Sequence, residues 1–104
     1  MVGTIVTFQY GDDFDRAKLE GVARDSAHMF EGLPGLRSKM FTLDEQSRRA
    51  VNVYVWETQE QATGFFTPEL VETATAFYGI PPTSVESFEV VGVVDNSRLR
   101  EAVA

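Results

Sequence analysis

The sequence predicts an α+β domain with elements in the order strand, helix, strand, strand, helix, strand. Three observations carry that expectation. Four segments rich in β-branched and aromatic residues, Val2–Tyr10, Leu36–Leu43, Arg49–Trp56 and Val85–Val94, have the length of strands. The segments between the first two and the last two place apolar residues at helical spacing. Glycine and proline then punctuate the helix ends, and a short polar link joins the two central strands. The whole chain, 1–104, reads as one domain, with a core over 2–94 and a tail over 95–104.

In the first strand Val6, Phe8 and Tyr10 alternate with Ile5, Thr7 and Gln9, so each set takes one face. Asp12 or Asp13 can cap the following helix, and Asp15 adds negative charge to its first turn. That helix is expected from Phe14 to about Gly32, on the stripe Leu19, Val22, Ala23, Met29 and Phe30. The stretch "EGLPGLRSKMF" then breaks it. Pro34 cannot continue a helix, and Gly32 and Gly35 can adopt left-handed backbone. "DEQS" is short enough to force the second and third strands into an antiparallel hairpin. Thr58–Gln61 has the form of a capping box, opening a short helix to about Phe66. Thr67 and Pro68 restart it as cap and first helical residue, and Gly79 with Pro81 and Pro82 ends it. The tail from Asp95 is read as a partial helix or a fraying end.

This order is the ferredoxin-like, split βαβ order, with both helices on one face of a four-stranded antiparallel sheet. The other face is expected to be polar in a monomer, yet Val51, Val53 and Val55 lie on one side of the third strand and Tyr54 and Trp56 on the other. The last strand likewise sets Val90 and Val94 against Val91 and Val93. A sheet apolar on both faces needs two covers, and a homodimer with packed sheets is the expected second one.

Composition narrows the function. Eight phenylalanines and 43% hydrophobic residues suffice for a folded core. With no cysteine, disulfides and thiolate chemistry are excluded and a cytoplasmic location is expected. The single histidine excludes a histidine metal cluster within one chain, and no metal or other cofactor is expected. A net charge of −7 repels nucleic acid and anionic membranes. No apolar run has the length of a membrane helix, and no signal-peptide pattern opens the chain.

Asn52, Tyr54 and Trp56 sit at i, i+2 and i+4 of the third strand and so project from one face. An amide, a phenol and an indole N–H in a row suit a planar aromatic ligand; they also suit ring packing with polar tips at the rim. His28, on the helix flank, is a candidate general base, or a histidine favoured by the helix C-terminus. Phe65, Phe66, Phe77 and Tyr78 are core residues or the lining of a pocket beneath a broken, mobile helix. By strict alternation Arg37 and Lys39 share a face, either to hold a phenolate or carboxylate, or as solvated charges at a sheet edge. The acidic residues read as caps and surface. No phosphate loop, nucleophile elbow or zinc spacing is present.

The stretch "LPGLRSKMFTLDEQSRRAVNVYVWETQEQATGFF" resembles the centre of the dimeric α+β barrel proteins. Within them the chain is similar to the antibiotic-biosynthesis monooxygenases and most of all to the YdhR-like monooxygenases, over about residues 2–94. The resemblance implies oxidation of polycyclic phenols to quinones with neither metal nor flavin. A phenolate would pass an electron to dioxygen, the radicals would recombine, and loss of water would give the quinone. In the quinone-forming relatives an asparagine and a tryptophan four residues later line the cavity; Asn52 and Trp56 match that spacing. A tyrosine those enzymes carry falls at about Ala62 here. The haem-degrading relatives need a histidine on the second helical region and a tryptophan near Phe65; neither is present, which excludes that activity. The expected function is a cofactor-independent monooxygenase acting on an aromatic small molecule. His28, Asn52 and Trp56 would be catalytic, and Tyr54, Phe65, Phe66, Phe77 and Tyr78 substrate-binding. The alternatives are a non-catalytic binding protein of the same fold, or a cofactor-free isomerase or lyase.

Overall fold

The computed structural model describes residues 1–96. Strand β1 (Val2–Gln9) leads to α1 (Arg16–Ser26), a 3₁₀ turn (Ala27–Met29), β2 (Leu36–Asp44), β3 (Arg49–Trp56), α2 (Gln59–Phe65), α3 (Pro68–Tyr78) and β4 (Ser84–Glu89). The four strands form one antiparallel sheet in the order β2-β3-β1-β4. This is the expected ferredoxin-like α+β fold.

Register explains which residues form the core. Val2, Thr4, Val6 and Phe8 of β1 lie opposite Trp56, Tyr54, Asn52 and Ala50 of β3. Alternation turns all of them to the face that carries the helices, where Leu19 and Val22 of α1, Ala62 of α2 and Tyr78 of α3 close over them. Burying a side chain such as Phe8 or Trp56 contributes about 1.5–3 kcal/mol each, and Phe8 also stacks on Tyr78 with ring centroids 4.0 Å apart.

Three boundaries differ from the sequence expectation, each for a local reason. Asp15, rather than Asp12 or Asp13, caps α1, its Oδ1 accepting from the Lys18 amide at 3.1 Å. The α-helix stops at Ser26, whose hydroxyl turns back to donate to the Val22 carbonyl at 2.6 Å. Tighter i→i+3 bonds from the amides of Phe30 and Leu33 carry the chain to the Leu-Pro-Gly turn. There Gly32 and Gly35 take φ of 69° and 83°. Strand β4 ends at Glu89, not Val94, because Glu89 already faces Val2 and β1 has run out of partners. The Val90 amide reaches further, to the Met1 carbonyl at 2.9 Å. The tail expected over 95–104 lies, from residue 97, outside the described residues.

The caps of the second helical region form as read. Thr58 accepts from the Gln61 amide and Thr67 from the Leu70 amide, both at 3.2 Å, and Gly79 closes α3 with φ 79°. Strand β2 departs from regularity once. Leu36 faces Trp56 and Ser38 faces Val55, so Arg37 is a one-residue bulge. Leu36 and Lys39, three apart, therefore both reach the helix face.

Candidate functional site

A cavity of about 300 Å³ lies between the sheet and the helices. Val6 and Phe8 of β1, Asn52 and Tyr54 of β3 and Lys39 of β2 form its floor, while Phe65, Phe66, Phe77 and Tyr78 are among the residues that roof it. Part-exposed Met29, Phe77 and Val85 stand on its wall and give it an apolar rim. The rings are in mutual contact, with centroids of Tyr54 and Phe66 5.3 Å apart and of Phe65 and Phe66 5.0 Å apart. A mostly apolar cavity with a few convergent polar groups is the usual form of a small-molecule site.

Those polar groups are Asn52, Tyr78, Tyr54 and Lys39. The Asn52 amide donates to the Tyr78 hydroxyl at 2.8 Å, tying β3 to α3 in a buried bond. Tyr78 thus has its own O–H left to give. The pair also forms part of the wall of a second, more polar cavity of about 230 Å³ beside Arg16 and Glu20, so it separates two chambers. Burial raises the pKa of both Tyr54 and Tyr78 above the usual phenol value, the Asn52 bond partly offsetting this at Tyr78. Both are neutral donors at physiological pH.

Lys39 was misjudged by strict alternation. It is half-buried rather than a solvated edge charge, and its Nζ lies 3.3 Å from the centroid of the Phe30 ring, 4.2 Å from Phe41 and 4.6 Å from Tyr54. Burial pulls its amine from 10.5 down to about 7, while the ring faces, which favour a cation, oppose that pull. Arg37, in the bulge, instead meets Glu57 at 3.5 Å in the open. Counting back from the hairpin, where Asp44 faces Arg49, would have turned Leu43, Phe41 and Lys39 to the helix face. That signal was in the sequence.

The other expected residues fall at different places. Trp56 is 1% exposed. It lies outside the cavity lining, packed behind Tyr54 and Phe65 with centroids 6.0 and 5.0 Å away. Its indole N–H and the Thr4 hydroxyl are buried without a hydrogen-bond partner among the described residues. His28 is exposed on the 3₁₀ turn and does not line the cavity. Among the described residues no cluster of three metal-ligating side chains occurs, and no helix is long and apolar enough to cross a membrane.

Solved structures share this architecture at low identity. An antibiotic biosynthesis monooxygenase of Deinococcus radiodurans, so named provisionally, superposes with a TM-score of 0.67 at 15% identity, covering 91% of this chain and 97% of the other. A monooxygenase from ActVA-Orf6 of Streptomyces coelicolor, solved with the ligand nanaomycin D, gives 0.65 at 16%, covering 90% of each chain. SnoaB, a cofactor-independent oxygenase of Streptomyces nogalater, gives 0.64 at 20%, covering 89% of this chain and 95% of its own. At such identities the likeness is one of fold. No functionally curated protein matches the sequence. Residues 5–102 match the family described as "Putative mono-oxygenase ydhR", and across nearly its whole length the chain belongs to that family.

Proposed function

We propose that the protein is a cofactor-independent monooxygenase acting on an aromatic, phenolic small molecule, and that it works in the cytoplasm as a homodimer. The observation that carries this reading is the 300 Å³ cavity, walled by rings and supplied with polar groups at Asn52, Tyr78 and Lys39. A planar ligand gains from stacking on Tyr54, Phe65 and Phe66, and its oxygen from the free O–H of Tyr78. Family membership and the oxygenase SnoaB of the same fold support the oxidative chemistry.

In the reaction the phenol loses its proton and the electron-rich anion reduces dioxygen by one electron. Recombination of the two radicals forms a C–O bond, and elimination of water leaves the quinone; one dioxygen is consumed per ring oxidised. The protein's contribution is to exclude water and to hold the anion by pre-set donors, so that little reorganisation accompanies electron transfer. In this reading Asn52 positions Tyr78, Phe77 guards the rim, and Trp56 holds Tyr54 and Phe65 in place from behind. His28 takes part only as a surface group.

The dimer is supported by the sheet's outer face, where half-buried Val51, Val53 and Val55 lie beside Ile5, exposed Met40 and exposed Phe88. A contiguous apolar face of that kind is rarely left to water.

Oxygen uptake by metal-free protein with polycyclic and monocyclic phenols tests the function. Uptake matched by quinone formation without added cofactor is expected. Stabilisation by the phenols with no uptake would instead make the protein a carrier, and product without oxygen consumption a lyase or isomerase.

A further inference from the structure

Lys39 holds an unusual place in the fold. It is the one amine on the cavity wall. Its Nζ sits over the Phe30 ring at 3.3 Å, with Phe41 and Tyr54 on its other sides, and no carboxylate ion-pairs with it among the described residues. The titratable and charged groups around it are few. Tyr54 of β3 and Tyr78 of α3 share its cavity, both neutral; Glu31 and Arg37 line a shallow surface depression on its outer side. An amine so placed lacks the anion that a buried ammonium needs, and the empty space beside it is where an anion would come from.

We propose that Lys39 is the proton acceptor and counter-ion for the hydroxyl of an aromatic ligand bound in this cavity, an assignment that rests on the functional reading above. The ligand's O–H bond breaks, its electron pair stays on oxygen, and the proton forms a bond to the Nζ lone pair. Ammonium and phenolate are left side by side. Burial pulls the amine down from 10.5 to about 7, so an unprotonated fraction able to accept is present near neutral pH. Ring faces that stabilise a cation then favour the ammonium once formed. The cavity therefore selects ligands with one acidic hydroxyl on an apolar body over the same body without it.

The test uses 2-naphthol, whose anion has its own near-ultraviolet absorption band, at a pH about one unit above the amine's value and below the free naphthol's. With the wild-type protein the bound naphthol shows the anion band, its ionisation moved down by roughly 1–3 units as an adjacent opposite charge demands. Calorimetry in two buffers of different ionisation heat finds no proton released, because Lys39 takes it. K39R keeps a charge but cannot accept a proton, so it retains the anion band and releases about one proton per ligand. K39M binds naphthol in its neutral form. Neutral naphthol on the wild-type protein, or an anion band unchanged in K39M, overturns the assignment while leaving the aromatic site standing. Absence of any naphthol binding overturns the aromatic-ligand reading and this one together.

Discussion

At the scale of single residues, the pairing of Asn52 with Tyr78 and the burial of Trp56 have separable consequences. Asn52→Ala leaves the Tyr78 hydroxyl without its donor and is expected to cost about 1–3 kcal/mol of stability in urea unfolding. Trp56→Phe removes part of a ring that is packed but does not touch the cavity, so a loss of about 1–3 kcal/mol is expected. Naphthol affinity should stay within about threefold, and a tenfold loss would bring the indole into the ligand's contact surface. Lys39 sets a pH signature. Its folded value of about 7 is below the unfolded 10.5, so between them the unfolded chain holds the extra proton and stability rises with pH. The tyrosines act oppositely. Tyr10, pushed up to about 12, and Tyr54 and Tyr78, also raised, keep protons the unfolded chain gives up near 10. Stability is therefore expected to climb from about pH 7 to 9.5 and fall beyond 10. K39M should flatten the climb and spare the fall, as read by denaturation midpoints across that range.

At the scale of elements, the strands and helices were legible because apolar spacing and breakers agree, and the errors lie where a local hydrogen bond or a partner's length decided instead. Nothing in the apolar stripe announces that Ser26 will turn back on Val22. Nothing in "VESFEVVGVV" says that β1 begins too late to pair with its end; Val91 and Val94, 94% and 88% exposed, show the result. Five of the aromatic and polar cavity residues, Asn52, Tyr54, Phe65, Phe66 and Tyr78, were legible because strand alternation and helix spacing bring them inward, and Phe77 joins them at the rim. Lys39 was named as a possible phenolate partner but set on one face with Arg37, because a bulge cannot be seen by counting in twos from Leu36. The turn ahead of β2 offers a matched pair of tests. Gly32 has open space where a Cβ would stand, whereas at Gly35 the Gln61 side chain occupies it. Gly32→Ala should cost about 1 kcal/mol for its positive φ alone. Gly35→Ala should cost more, about 2–3 kcal/mol in the same assay, since Gln61 of α2 must also move.

At the scale of the whole molecule, one face of the sheet builds the cavity and the other carries half-buried Val51, Val53 and Val55. If the outer face is the dimer contact, Val53→Glu at its centre places two like charges against the two-fold axis. Such a variant is expected to run as a monomer in light scattering after gel filtration, and a variant that remains dimeric would move the contact elsewhere. The fold could be read from the order of elements, but the function needs the interior, where two chains with this order can differ in every side chain that touches a ligand.

The bulge at Arg37 bears on how such interiors diverge. Upstream of it the strand keeps step with the Leu-Pro-Gly turn, and downstream with the hairpin, so β2 carries one residue more than its neighbour requires. Loss of one codon between Lys39 and Asp44 would absorb that surplus and make the ladder regular, with both ends of the strand unmoved. Ser38 would then face Tyr54, and Lys39 would lie on the outer face opposite Val53. A basic cavity would become a neutral one by deletion, without a single substitution in the residues that remain.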